Sequence, residues 1–278
     1  MSLFAFVTSA QQADEGIPQF YTPLVGKNLF SQGLVFAQVY TGCSGRSIQE
    51  LVAAYKGTVA TSVNWRGPQM DTTGVSGVPV NYSTGAFTAD MALGAFSCFA
   101  RVKQVTSVAT GGIAERNDGN TVNAGWQIGC NNTGTKLEFV RASVDYSAKT
   151  NAALTVGRWT TVGIAYPGDL TASNCKIYYD GVVQTINSAT NGSGAQGSDL
   201  TRDMCVGSSN FGADAGPFNG YIDCIYFWKR YLRQEEFMML TANPYLPVTS
   251  MAYRPSAPFT TTFNPVVASS FPGLFFAI

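Results

Sequence analysis

The stretch Phe218–Leu240, FNGYIDCIYFWKRYLRQEEFMML, changes periodicity half-way along. Asn219-Gly220 suits the positive φ of a tight turn. Tyr221 to Trp228 is rich in aromatic and branched side chains, which is how a strand reads. Lys229-Arg230 interrupts the apolar run. From Leu232 the spacing becomes helical, with Leu232, Phe237 and Leu240 on one face. Ile222 and the pair Ile225/Phe227 are out of phase for simple alternation, which predicts a bulge or two-sided burial near Asp223-Cys224. A strand feeding one short helix, late in a chain otherwise full of strand signals, predicts a β-sandwich closed by a helical clip.

Upstream, strand signals recur at short intervals. Leu34 to Ala37 is the first. Ser47 to Ala54 (SIQELVAA) is the other segment with helical character, Ser47 and Glu50 having capping-box spacing. Residues 57–90 are dense in Gly, Thr, Ser and Pro, with short strands such as Val78 to Tyr82. Phe96 to Val102 is followed by a predicted Gly111-Gly112 turn, then Ile113 to Arg116 and Gly125 to Cys130. In Lys136 to Arg141 polar residues fall largely on alternate positions, so one face is expected to be wet. Thr160 to Tyr166 follows Gly157-Arg158-Trp159. Lys176 to Tyr179, Asp180-Gly181 and Val182 to Ile186 form the strongest local signal, a two-residue hairpin. A polar loop is expected over 187–199, and Met204 to Gly207 is the strand before the opening stretch. Short strands at this density, with no parallel crossover in the pattern, predict an antiparallel sandwich or jelly roll.

Composition narrows the function. The chain has 278 residues, enough for a sizeable core. Charged residues are 12% of the total, about half the usual share. Lys+Arg and Asp+Glu number 17 each, so the net charge is zero. That balance gives no electrostatic hold on a polyphosphate, and nucleic-acid binding is disfavoured. It also favours association, hence a subunit of an assembly and a homo-oligomer. Histidine is absent, which removes Ser-His-Asp, Cys-His and His-ligated zinc chemistry.

The six cysteines (Cys43, Cys98, Cys130, Cys175, Cys205, Cys224) contain no Cys-x-x-Cys and read as buried thiols, with one or two disulfides as the alternative. Trp65, Trp126, Trp159 and Trp228 sit at strand positions and are assigned to the core. Tyr178, Tyr179, Tyr221 and Tyr226 are the better candidates for exposed aromatics. No stretch reaches the length of a membrane span, and Leu3 to Val7 is too short for a signal-peptide core, so synthesis in the cytoplasm without export is expected.

Two arms flank the sandwich. Residues 1–27 contain Pro18 and Pro23 and read as an extended arm. Residues 249–278 carry a single charge, Arg254, with four prolines and a cluster of phenylalanines. Disordered tails are normally charged and poor in aromatics. Phe259, Phe263, Phe271, Leu274, Phe275 and Phe276 are therefore assigned as an assembly arm lying in a groove of its own domain or of a neighbour.

Gly157-Arg158-Trp159-Thr160-Thr161-Val162 and Lys176-Ile177-Tyr178-Tyr179-Asp180-Gly181 resemble the G-x-W-x-x-V and L-Y-x-D-G passage of the LamG-like (laminin G) domains of the concanavalin A-like jelly-roll group. Val206-Gly207-Ser208 and Phe218-Asn219-Gly220-Tyr221-Ile222-Asp223 are similar to its I-G and F-x-G-x-I-D. Leu232 with Glu235-Glu236 resembles the closing L-x-x-E-E helix, and Ala242-Asn243-Pro244-Tyr245 the common ending. Gly33-Leu34-Val35 and Phe96 to Val102 fit its first strand and its F-S-x-x-x-x-V strand. Arg233-Gln234 departs from the capping Ser or Thr usual at the helix entry.

The resemblance covers residues 28–248 and implies an all-β, antiparallel jelly-roll sandwich with a short C-terminal helix and extended N- and C-terminal arms. Its members include glycan-binding modules, adhesion domains, some glycoside hydrolases and domains of phage virion proteins, and fold alone does not choose among them. The hydrolases use an E-x-D-x-x-E strand. No Glu-x-Asp or Glu-x-Glu spacing falls on a predicted strand here, and Glu235-Glu236, adjacent on a helix, are assigned to solvent, so no enzymatic activity is expected. Some members bind Ca²⁺ near the G-x-I-D turn, for which Asp223 and Asp214 are the candidate ligands; the alternative is that Asp223 accepts backbone hydrogen bonds. The expected function is a non-catalytic structural protein of a phage or virus particle, a capsid decoration or a capsid- or tail-associated subunit assembled in the host cytoplasm and docking through its arms. The alternative is an extracellular carbohydrate-binding module, in which the resemblance implies glycan contact by Tyr178, Tyr179, Tyr221 and Tyr226, a sugar-stacking platform of the four tryptophans being the alternative to their place in the core.

Overall fold

The computed structural model describes residues 29–248 apart from 41–42, 44, 67–68, 76–77, 84–88, 108–110, 117–124, 131–135, 142–143 and 210–215. The assembly-arm residues Phe259, Phe263, Phe271, Leu274, Phe275 and Phe276, the 1–27 arm and Asp214 lie outside the described residues. Strands are numbered in chain order.

Two sheets face each other. The first runs β14 (Val182–Val183), β13 (Lys176–Tyr179), β12 (Trp159–Tyr166), β7 (Phe96–Gln104), β19 (Gly220–Trp228), β5 (Gln69–Asp71) and β4 (Asn64–Arg66), with β1 (Leu34–Val39) also on β19. The second runs β15 (Ile186–Thr190), β11 (Tyr146–Ala153), β10 (Lys136–Arg141), β9 (Trp126–Cys130), β8 (Gly111–Arg116), β16 (Met204–Val206), β6 (Val80–Tyr82), β3 (Lys56–Val59) and β2 (Ser47–Gln49). The short β17 (Ser208–Ser209) and β18 (Gly216–Pro217) hang from its middle. All pairings between described strands are antiparallel except one bridge, Pro217 with Gly112.

β19, the centre of the opening stretch, is also the centre of the first sheet. β7 lines one of its edges from end to end. The other edge is shared, β5 pairing at Tyr221 and Ile222 and β1 from Cys224 to Trp228. The register shifts between Ile222 and Cys224, so the expected bulge falls where the partner changes. Asp180 and Gly181 both have positive φ (48° and 76°), as a two-residue hairpin between β13 and β14 requires.

The main core lies between the sheets and is largely aromatic. Phe96 meets Phe139 edge-on at 5.3 Å, and Trp126 meets Phe227 at 5.2 Å. A second core lies on the far face of the first sheet beneath α1 (Gln234–Ala242), where Phe99, Tyr226, Trp228, Leu232, Phe237 and Leu240 are buried together. Phe237 stacks on Tyr178 at 4.3 Å over Gly163, where an added Cβ would lie 2.5 Å from the Phe237 ring. Glycine is needed there for the helix to approach.

Four expectations are corrected. Ser47 to Ala54 is not helical: Ser47–Gln49 pairs with β3, and a turn follows. Glu50 does bind backbone amides, but those of Ala37, Val52 and Ala53 at 2.6, 2.7 and 2.8 Å. Gly111 and Gly112 begin β8 instead of turning, and lie so close to β9 that a Cβ on Gly129 would meet the Gly111 carbonyl at 2.8 Å. The 187–199 segment contributes β15, an edge strand exposed on both faces and hence polar in sequence. Glu236 is buried, accepting from the Arg233 amide at 2.9 Å and pairing with Arg230 at 2.7 Å, so it caps a helix whose N-cap arginine offers no acceptor.

Candidate functional site

α1 covers the outer face of the first sheet only in part. Antiparallel register lays residues across that face in rows. The row Gly163, Phe99, Tyr226, Ala37 lies under the helix. One row further, Thr161 and Arg101 stand beside the β19 bulge. The row beyond that is Trp159, Lys103, Tyr221, Asp71, Asn64, in register across five strands, and the helix does not reach it.

Trp159, Lys103 and Tyr221 are half-buried, and the two rings lean together over the strand between them, their centroids 6.4 Å apart. Arg101 lies over the Trp159 ring at 4.7 Å and Lys103 over that of Tyr221 at 5.9 Å. Arg101 donates to Asp223 at 2.6 Å, and the Tyr245 hydroxyl donates to the same carboxylate oxygen at 2.7 Å. Burial of Arg101 opposes its charge, but Asp223 outweighs it and raises the guanidinium pKa. At the rims, Arg158 pairs with Asp180 at 2.8 Å and Arg66 with Asp71 at 2.7 Å. The result is a shelf of two aromatic rings bordered by ion pairs, suited to stacking against a flat apolar surface with polar groups at its edge.

Of the four tyrosines singled out in the sequence, the structure brings Tyr221 to the shelf. The other three are corrected. Tyr226 is turned to the outer face by the bulge at Asp223 and is buried there beneath α1. Tyr178 is buried under the same helix against Phe237. Tyr179 points into the sandwich, where its hydroxyl accepts from the Leu137 amide at 3.0 Å and donates to the Ala152 carbonyl at 3.2 Å. Trp126 and Trp228 are core residues as expected, whereas Trp65 and Trp159 are half-exposed. Asp223, considered as a calcium ligand, is buried against Arg101 and Tyr245. Among the described residues no group of three or more His, Cys, Asp or Glu could hold a metal ion.

Other polar clusters are closed. Asp199 is buried, ion-paired with Arg116 at 3.2 Å and accepting from Trp126 Nε1 at 2.9 Å; burial pushes its pKa up to about 6. It also accepts from the Met91 amide, pinning the connection after β6 to the one before β16. All six cysteines are buried free thiols, and burial pushes Cys130, Cys175 and Cys205 up to about 12, which makes them unreactive. No helix among the described residues is long and apolar enough to cross a membrane.

A family model described as the concanavalin A-like lectin/glucanases superfamily matches residues 77–237. The chain belongs to that superfamily. No curated protein sequence matches it. Among solved structures, Trypanosoma rangeli sialidase in complex with sialic acid is similar with a TM-score of 0.58 and 13% identity, over 77% of this chain and 33% of that one. The same enzyme in complex with 2,3-difluoro-KDN gives 0.57 and 14%, over 88% and 39%. The binding domain of Botulinum neurotoxin DC in complex with rat synaptotagmin II gives 0.55 and 14%, over 77% and 52%. The chain thus spans about a third of the sialidase chains, and these likenesses establish a shared fold.

Proposed function

We propose that this protein is a non-catalytic glycan-binding module whose ligand stacks on Trp159 and Tyr221. The observation that carries this is the row Trp159–Lys103–Tyr221, two half-exposed rings leaning together on a sheet face whose row Gly163–Phe99–Tyr226–Ala37 is buried under α1. Large aromatic side chains in a sandwich of this kind are ordinarily core, and a pair left open at one end of a face offers apolar area with polar groups alongside, the usual make-up of a sugar site. Superfamily membership supports the same function, as does a sialidase bound to sialic acid among the structural neighbours. The non-catalytic assignment is supported by the carboxylates nearest the shelf, Asp71, Asp180 and Asp223, each engaged by an arginine. The test is a glycan array probed with the full chain and with Trp159→Ala. Saccharide binding by the parent and its loss by about tenfold or more in the variant are expected. Binding unaffected by Trp159→Ala and Tyr221→Ala, or turnover of a bound polysaccharide, would overturn it.

A second role, as structural subunit of a phage or virus particle or of another assembly, is supported by a separate observation. The 249–278 segment is apolar and carries one charge, in a chain of zero net charge. Both roles are compatible in one molecule, with the segment joining copies of the chain and the shelf turned toward a glycan-bearing surface, whether on a virion or as an extracellular module.

A further inference from the structure

We infer that the glycan is acidic, a saccharide carrying a carboxylate that seats on Lys103 between the two rings; this rests on the glycan-binding function proposed above. Four cations border the shelf, and three are neutralised in place: Arg101 by Asp223, Arg158 by Asp180 and Arg66 by Asp71. Lys103 is the fourth. It has no carboxylate partner among the described residues, and its Nζ lies over the Tyr221 ring, 5.9 Å from the centroid. It is also the middle member of its row, Trp159 standing across on one side and Tyr221 on the other.

An ammonium without a carboxylate partner, on a shelf whose other cations are ion-paired, is available to meet an incoming anion. In a chain with so few charges, the placement of this one between two sugar-stacking rings selects for negative charge on the ring being stacked. A carboxylate on the stacked saccharide meets the ammonium while the apolar face of the sugar covers Trp159 or Tyr221. The neighbouring arginines cannot take over this duty, because each is held by its own aspartate. Because the shelf is open to water, the advantage of the acidic ligand must shrink as salt is raised.

Paired probes that differ only in charge test this on the full chain: sialyllactose against lactose, and polygalacturonate against its methyl ester, titrated calorimetrically at low salt and at about 0.5 M salt. The acidic member of at least one pair is expected to bind about tenfold more tightly at low salt. Lys103→Met should bring that ratio close to one, and Lys103→Arg should keep it. Equal affinity for acidic and neutral members, with binding still lost in Trp159→Ala, would overturn the acidic preference and leave the glycan-binding function standing. Binding of no saccharide of either kind would overturn both. A preference that survives in Lys103→Met, or acidic binding that survives in Trp159→Ala, would place the acid elsewhere and overturn the assignment.

Discussion

Glu50 is a buried carboxylate that accepts three backbone amides, one from β1 and two from its own turn. It thereby serves as a piece of strand edge for β1, helped by the Leu51 amide donating to the Ala37 carbonyl at 2.9 Å. Burial outweighs those hydrogen bonds and raises its pKa to about 7. The folded state therefore holds a proton that the unfolded chain has released, so stability is greatest below the ordinary carboxylate pKa and falls as pH rises to about 7. The loss across that window is on the order of 3 kcal/mol for this group. Asp199, raised for the same primary reason, adds to the trend. Urea unfolding between about pH 4.5 and 7.5 should show the midpoint dropping with pH, and Glu50→Gln should flatten the slope. A slope that is the same in the parent and in Glu50→Gln would show that Glu50 does not hold a proton over this range. Ser47 and Glu50 had the spacing of a helix start; the carboxylate was legible as a cap, but the strand that it caps comes earlier in the chain, and spacing along the chain carries no trace of that.

The contact between α1 and the first sheet depends on a residue with no side chain. Gly163→Ala would drive a methyl into the Phe237 ring and should cost about 2 kcal/mol as the helix is pushed away. Phe237→Ala should cost about 3–5 kcal/mol through the cavity left over Tyr178. Because the smaller residue at 237 makes room for the methyl, the double variant should be less destabilised than the sum, and a denaturation cycle measures the difference. Strict additivity would mean that the ring and Gly163 do not press on each other. Elements of this kind were legible where local chemistry decides them: Asp180-Gly181 between strand formers, the phase break at Asp223, the Leu232–Phe237–Leu240 face. β15 was not, since an edge strand bathed in solvent on both faces has no apolar alternation to read. The shelf was half legible. Tyr221 was singled out, but Trp159 and Lys103 join it only through the register of three strands far apart in the chain. Tyr226 was misplaced because the helix that covers it packs on the sheet from outside, a contact that the pattern along β19 does not show.

At the scale of the molecule, equal numbers of acidic and basic residues leave no net repulsion between copies, and the apolar 249–278 segment favours association. Light scattering on the purified chain should give a mass above one copy. A chain ending at Val248 should give the monomer mass with Trp159-dependent glycan binding intact. An oligomer that survives the truncation would place the association elsewhere. The two ends of the described chain meet on one sheet: Leu34 pairs with Trp228, and the Trp228 indole donates to the Phe30 carbonyl 198 positions back. A ribosome adds roughly 5–20 residues per second, so β1 waits some ten to forty seconds for the strand that gives it a partner. Until β19 emerges, β7 lacks the neighbour on one of its edges, and β1 and the β4–β5 pair cannot join the first sheet. The nascent chain thus carries open strand edges, aromatic in sequence, until β19 is made, and its yield in a cell should be governed as much by the chaperones that shield those edges as by the stability of the finished sandwich.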